Sequence, residues 1–128
     1  MQDQTFRPGD KTLFTSESLT LPHSAFFEDD GDTGYFYAAN LDMVLDAVHS
    51  YNVANVSDRD RESSLSILWS EDGMKCALLI NGYPHAAFDF DAKRGYCRTN
   101  YPSFPKTSAG CWDSSDHHWS DDAIAWLY

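Results

Sequence analysis

The sequence predicts an α+β fold, with one antiparallel sheet of about four to six strands and one main helix packed on a face. Three breaks rich in Gly, Asn and Asp divide residues 63–101 into apolar runs of strand length, which is typical of an antiparallel meander. Residues 41–51 instead carry apolar side chains at the spacing of one helix face. The length of 128 residues and the apolar content of 42% fit a single domain over residues 1–128.

The meander consists of apolar runs at residues 63–69, 74–80, 83–90 and 96–98. For the central hairpin we predict a three-residue loop ending at Gly82, which pairs Ala77 with His85. A two-residue turn would set Lys75 against Phe88 and mix polar with apolar residues on both faces. The three-residue loop gathers one apolar face, which we expect to be buried: Met74, Cys76, Leu78, Pro84, Ala86, Phe88 and Phe90.

The predicted helix covers residues 41–51, from Leu41 to Tyr51. Asn40 is a favourable N-cap, and Asp42 suits the positive N-terminal end of a helix. The apolar stripe that should pack on the sheet comprises Leu41, Val44, Leu45, Val48 and Tyr51.

An acidic tip joins two aromatic-rich runs, residues 24–27 and 35–38, and together they predict a hairpin. The tip places oxygen ligands at alternate positions, as a calcium loop does. However, Thr33 and Ala39 stand where an EF-hand requires Gly and Glu. We therefore expect no metal site here, and no motif indicates a cofactor.

The C-terminal segment, residues 120–128, is ambiguous between helix and strand. Ser120 followed by two aspartates is typical of a helix start, whereas the alternation of Ile124, Trp126 and Tyr128 fits a strand. The sequence favours a short helix.

The net charge of −11 is unevenly distributed along the chain. Residues 12–58 hold eight acidic residues and no Lys or Arg, and residues 107–128 hold four acidic residues and no base. This pattern argues against nucleic acid and anionic membranes as partners. It favours a basic protein partner, or serves solubility alone.

The sequence shows no phosphate loop, nucleophile elbow or CxxC pair. It also contains no run of apolar residues long enough to cross a membrane and no apolar signal-peptide core, so we expect a cytoplasmic protein. One alternative remains open, a small enzyme or ligand-binding domain with its site near His85, Cys97 and Arg98. In that case the neighbouring arginines could activate the Cys97 thiol.

Three blocks of the sequence carry a resemblance to known proteins: residues 27–37, residues 69–73 together with 77–86, and residues 95–98. Together they resemble a family of short bacterial proteins catalogued only as a domain of unknown function. The resemblance covers roughly residues 20–102 and leaves out the two ends of the chain. It implies a bacterial source, but no activity and no catalytic residues.

The leading hypothesis is a small acidic, non-catalytic binding protein of the immunity or inhibitor type, which neutralises a basic partner such as a secreted toxin. Carboxylates would steer association, and aromatic side chains would anchor the complex. A self-associating structural module is a further alternative. The predicted partner-binding residues are Glu28, Asp29, Asp30, Asp32, Tyr35, Trp112, Asp113, Asp116, Trp119, Asp121 and Asp122.

Overall fold

The computed structural model describes residues 3–18, 22–40, 43–57, 60–99 and 118–127. Within these ranges the chain forms nine strands, a 3-10 turn at Val53–Asn55 and a C-terminal 3-10 helix at Asp121–Leu127. The strands are β1 (Asp3–Phe6), β2 (Thr12–Glu17), β3 (His23–Asp29), β4 (Thr33–Asn40), β5 (Met43–Asn52), β6 (Ser63–Trp69), β7 (Lys75–Ile80), β8 (Tyr83–Asp89) and β9 (Arg94–Cys97).

These strands form two antiparallel sheets, not the single sheet that the sequence predicts. The five-stranded sheet has the order β1-β6-β7-β8-β9, and the four-stranded sheet has the order β2-β3-β4-β5. The predicted meander is confirmed as β6 to β9, and the predicted acidic hairpin as β3 and β4. The α+β prediction is wrong because residues 12–52 hold the strands of a second sheet, β2 to β5, instead of a helix covering the first sheet.

The two sheets pack face to face around one aromatic and aliphatic core. Phe36 from β4 stacks on Phe88 from β8 with ring centroids 4.9 Å apart, and both side chains are fully buried. Phe6 from β1 meets Phe27 from β3 edge-on at 5.4 Å. The Trp69 indole N–H also bridges the sheets by donating to Ser16 Oγ at 3.0 Å.

The segment predicted as a helix is strand β5, paired with β4 along its length. Its apolar residues have a helical spacing because the β4–β5 pairing is irregular at two points, between Gly34 and Tyr35 and between Ala38 and Ala39. A bulge inserts one residue and breaks the alternation of faces. Leu45, Val48 and Tyr51, three residues apart, therefore all contact the core, while Leu41 and Asp42 lie outside the described residues.

The predicted hairpin register is wrong, because Ala77 pairs with Ala87 and not with His85, but most of the predicted inner face is buried as expected. Asn81 and Gly82 both have positive φ and form a two-residue turn, which pairs Ile80 with Tyr83. A bulge at His85 then adds one residue to β8 and corrects the faces. Accordingly, Cys76, Leu78, Ala86, Phe88 and Phe90 are buried in the core cluster, Met74 packs against it, and Pro84 pairs with Leu79.

The C-terminal segment is a short helix, as the sequence favours, although of the 3-10 type. Ser120 Oγ accepts a hydrogen bond from the Asp122 N–H at 3.3 Å, which is a capping contact. The helix covers the outer side of the five-stranded sheet, where Ile124 packs on Ala77 and Ala87.

Candidate functional site

The outer side of the four-stranded sheet carries an aromatic surface, which we call the aromatic face. Its members are Leu13, Phe26, Glu28, Tyr35 and Tyr37. They share one side because successive residues of a strand point to opposite faces, and the residues between them are buried in the core. The pairing places Leu13, Glu28 and Tyr35 in one row across the sheet and Phe26 beside Tyr37 in the next.

The aromatic face is internally ordered, with its aromatic side chains partly buried and Leu13 exposed. Phe26 and Tyr37 stack with ring centroids 4.4 Å apart and planes 6° from parallel, and Tyr35 meets Tyr37 edge-on at 6.2 Å. The Tyr37 hydroxyl donates to Glu28 Oε1 at 3.1 Å. Burial, together with the Glu28 carboxylate, raises the pKa of Tyr37, so this hydroxyl keeps its proton and remains a donor. Leu13 is 63% exposed, which leaves a large apolar side chain on this surface.

The acidic tip adjoins the aromatic face at the end of the β3–β4 hairpin. Asp30 and Asp32 are both exposed. Asp30 Oδ1 accepts hydrogen bonds from the backbone N–H groups of Asp32 and Thr33, each at 2.9 Å, which order the turn. These backbone donors lower the pKa of Asp30 below its ordinary value.

Asp29, predicted as a partner-binding residue, belongs instead to the interior. Its side chain is 1% exposed. Its Oδ2 accepts hydrogen bonds from Tyr51 Oη at 2.6 Å and the Gly9 N–H at 2.8 Å, and its Oδ1 accepts one from the Gly31 N–H at 2.8 Å. The carboxylate therefore ties the β1–β2 turn, the acidic tip and β5 together, and is not available to a partner.

The remaining predicted residues do not join the aromatic face. Trp119, Asp121 and Asp122 lie at or before the C-terminal 3-10 helix, on the outer side of the opposite sheet. Trp112, Asp113 and Asp116 lie outside the described residues. One flat interface cannot include both the acidic tip and the C-terminal acids, so the predicted site divides into two separate surfaces.

Sequence reasoning missed three members of the aromatic face: Leu13, Phe26 and Tyr37. Phe26 and Phe27 are adjacent in a strand, so one of them must point outward. The alternation Tyr35-Phe36-Tyr37 likewise places two tyrosines opposite a buried phenylalanine. Leu13 had no such signal, because its outward position depends on the pairing of β2 with β3.

A second polar cluster, the arginine cluster, comprises Tyr83, His85, Arg98 and Trp119. The Arg98 guanidinium carbon lies 4.4 Å from the Tyr83 ring centroid and 4.1 Å from that of Trp119, and Arg98 Nε donates to the Pro84 carbonyl at 2.6 Å. His85 meets Tyr83 edge-on at 5.3 Å. Burial, and secondarily the positive charge of Arg98, lowers the pKa of His85 to about 4, so the imidazole is neutral.

Cys97 does not belong to the arginine cluster, although the sequence groups it with His85 and Arg98. Its side chain is fully buried in the core, with Sγ 3.3 Å from Thr99 Oγ1. Cys97 is the last residue of β9 and is buried in the core, whereas Arg98 follows the strand and contacts Tyr83 and Trp119, so the two do not form one surface site. The thiol is therefore inaccessible to a substrate.

Among the described ranges, no group of three or more His, Cys, Asp or Glu residues is arranged to hold a metal ion. In that part of the chain, no helix is long and apolar enough to cross a membrane.

Comparison with known proteins places the chain among bacterial sequences. It is 41% identical over 106 residues to a Haemophilus influenzae protein named only "Uncharacterized protein", a match that covers 80% of this chain and 66% of that relative. No solved structure matches the chain. The family described as "Uncharacterized protein conserved in bacteria", DUF2251, matches residues 6–128, which extends the resemblance to both ends that the sequence blocks left out. The chain therefore belongs to the DUF2251 family.

Proposed function

We propose that the protein is a non-catalytic binding module that engages a basic protein partner through its aromatic face and acidic tip. The observation that carries this proposal is the partly exposed aromatic face with carboxylates at its edge. Tyrosine and phenylalanine supply contact area with little loss of conformational entropy, which suits the centre of an interface. The proposed contact residues are Leu13, Phe26, Glu28, Asp30, Asp32, Tyr35 and Tyr37.

Charge gives the expected sign of the partner. The aromatic face and acidic tip lie within residues 12–58, where the sequence has eight acidic residues and no Lys or Arg. Exposed carboxylates beside an aromatic centre would accelerate encounter with a basic surface and repel acidic ones. A cytoplasmic inhibitor or immunity protein that blocks a basic toxin is the biological role that fits best.

The test uses the purified products of the genes adjacent to the one that encodes this protein. Binding kinetics are measured at low and at physiological salt for the native chain and for Asp30→Asn/Asp32→Asn. Asn retains the side-chain oxygen that accepts the backbone N–H bonds of the tip, so the turn should remain folded. Association should slow in this variant, and adding salt should reduce the difference, since the Debye length is about 8 Å at physiological ionic strength.

A matched control changes two exposed acids elsewhere on the surface, Glu71→Gln/Asp91→Asn, with the same change in net charge. If association slows equally in both double variants, the effect comes from the net charge of the protein and not from this surface, and the proposal is overturned. A basic partner bound equally well by Asp30→Asn/Asp32→Asn and the native chain at low salt would also overturn it.

The aromatic anchor is tested separately with Tyr35→Ala, using Tyr83→Ala as the control because Tyr83 is an exposed tyrosine outside the aromatic face. We expect Tyr35→Ala to speed dissociation and to cost about 2 kcal/mol or more in binding. If the chain binds only itself, with dimerisation lost in Tyr35→Ala, the self-associating alternative replaces the basic-partner proposal.

A further inference from the structure

The arginine cluster holds its guanidinium group in a fixed orientation. The Tyr83 and Trp119 rings lie over the Arg98 guanidinium carbon, with centroids 4.4 Å and 4.1 Å away, and the Nε–H donates to the Pro84 carbonyl at 2.6 Å. Cation–π contacts favour the charged group over the ring faces, and the Nε bond fixes rotation about the side-chain axis. The two terminal nitrogens therefore project from a rigid base.

No acidic side chain neutralises this guanidinium within the part of the chain that the structure describes. The side-chain contacts of Arg98 there are one backbone carbonyl and two aromatic rings. This is unexpected in a chain with 20 acidic and nine basic residues, where carboxylates outnumber bases by about two to one. Among the described residues the terminal nitrogens of Arg98 have no carboxylate partner, and their donor geometry matches the two oxygens of a carboxylate.

The surroundings favour a ligand with a flat apolar body. Tyr83 is 52% exposed, so its ring can contact a ligand as well as Arg98. His85 lies edge-on to Tyr83 and is neutral, so it adds a polar edge without a second positive charge. Asp121 Oδ1 accepts a hydrogen bond from the Trp119 Nε1–H at 2.9 Å, and this carboxylate opposes a multiply charged anion more than a singly charged one.

We propose that the arginine cluster binds a monocarboxylate with an aromatic or apolar body, with its carboxylate on the terminal nitrogens of Arg98 and its body against Tyr83. This site lies on the opposite sheet from the aromatic face and does not depend on the basic-partner proposal. Binding involves no covalent change. Two N–H donors of Arg98 exchange their hydrogen bonds to water for hydrogen bonds to the two carboxylate oxygens.

The test is a titration of the full chain with benzoate, followed by the 15N–1H NMR signal of the Arg98 Nε–H group. Benzamide serves as the neutral analogue, and inorganic phosphate as the multiply charged anion. We expect benzoate to shift the signal in a saturable way, and benzamide to bind at least about tenfold more weakly. Phosphate should also bind more weakly than benzoate.

Arg98→Lys keeps the charge but removes the two-pronged donor geometry, so benzoate affinity should fall at least about tenfold. Arg94→Lys is the matched control, because Arg94 is a nearby arginine on β9 whose guanidinium also lies over an aromatic ring, 5.3 Å from the Tyr96 ring centroid. For the lysine variant, binding is followed by the backbone amides of residues 83, 85 and 98, and far-ultraviolet circular dichroism confirms that each variant is folded.

Three results would overturn the proposal: no saturable shift with benzoate, equal binding of benzamide, or an equal loss of affinity in Arg94→Lys and Arg98→Lys. Tighter binding of phosphate than of benzoate would assign the site to phosphate-type anions and would overturn the monocarboxylate assignment.

Discussion

Asp29 shows how one side chain can change its role between sequence and structure. In the sequence it is one of several acids in an acidic run, and its neighbours Asp30 and Asp32 are indeed exposed. In the structure it is a buried carboxylate with three hydrogen-bond donors directed at it, the Gly9 and Gly31 N–H groups and the Tyr51 hydroxyl. Burying a charge is tolerated only with such compensation.

We expect Asp29→Asn to destabilise the protein by roughly 2–3 kcal/mol, because the amide nitrogen of Asn would face a donor and a charge-assisted bond would be lost. Tyr51→Phe should cost about 1–2 kcal/mol, since Asp29 keeps its two backbone donors. Both values come from urea titration. Asp30→Asn is the control and should lower the unfolding free energy much less. An equal loss in Asp30→Asn and Asp29→Asn would show that the hydrogen bonds of Asp29 do not stabilise the fold in the way described.

Acidification should weaken the fold partly through His85. Burial and the charge of Arg98 lower its pKa from 6.5 to about 4, so the folded protein binds this proton less readily than the unfolded chain. The contribution of His85 to stability is therefore complete above about pH 6.5 and is lost as the pH falls towards about 4. Between about pH 7 and about pH 5 the loss amounts to roughly 2 kcal/mol.

This dependence is measured as the difference between the unfolding free energies at the two pH values, for the native chain and for His85→Asn. The variant should lose less stability on acidification, because Asn does not titrate. Parallel pH profiles for the two proteins would show that other groups account for the whole effect.

At the scale of elements, bulges decide how each strand presents its side chains. The bulge at His85 lets a tight Asn81-Gly82 turn coexist with a fully apolar inner face. Bulges opposite β4 bring Leu45 and Tyr51 to the core side of β5. Strands β9 and β5 also approach each other closely. A Cβ added at Gly95 of β9 would lie 2.7 Å from Val48 Cγ1 of β5, so only glycine fits at this position.

The β7–β8 register predicts opposite outcomes for two substitutions. Phe88→Ala should destabilise by about 3–5 kcal/mol, because Phe88 is buried against Phe36 and its loss leaves a cavity. Lys75→Ala should change stability by under about 0.5 kcal/mol, as at an ordinary surface position. Urea titration compares the two, and similar losses in both variants would contradict the observed faces of the hairpin.

At the scale of the whole molecule, the two sheets share one core. The cluster includes Phe27 and Phe36 from the four-stranded sheet and Leu78 and Phe88 from the five-stranded sheet. The covering elements differ, since the C-terminal 3-10 helix packs on the outer side of one sheet while the other sheet presents the aromatic face. This asymmetry leaves the two proposed binding surfaces on opposite sides of one body.

The shared core predicts that both sheets unfold together. Urea unfolding followed by tryptophan fluorescence and by far-ultraviolet circular dichroism should give coincident transitions, as in a two-state domain. Trp69 reports on the junction directly, because its indole N–H donates to Ser16 across the sheets. Two separated transitions would show that the sheets are independent units. If the sheets unfold as one unit, Phe36→Ala should lower the midpoints of both signals equally.

The sequence by itself determined the local elements whose signals are short in range. Turn residues and alternating runs located β6 to β9 and the β3–β4 hairpin, and Ser120 with two aspartates located the C-terminal helix. Most of the inner face of the β7–β8 hairpin was also predictable from its apolar residues, although the turn and the register were not. The exposed tip acids Asp30 and Asp32 followed from their place in the hairpin loop.

Only the tertiary structure decided what depends on pairing between distant segments. The backbone groups of β5 are satisfied by β4, and the bulges in that pairing gave residues 43–52 an apolar spacing that resembles a helix. The burial of Asp29 required Gly9 and Tyr51, which are 20 and 22 residues away in the chain. The arginine cluster likewise required a strand end to meet Trp119, a contact that no local pattern encodes.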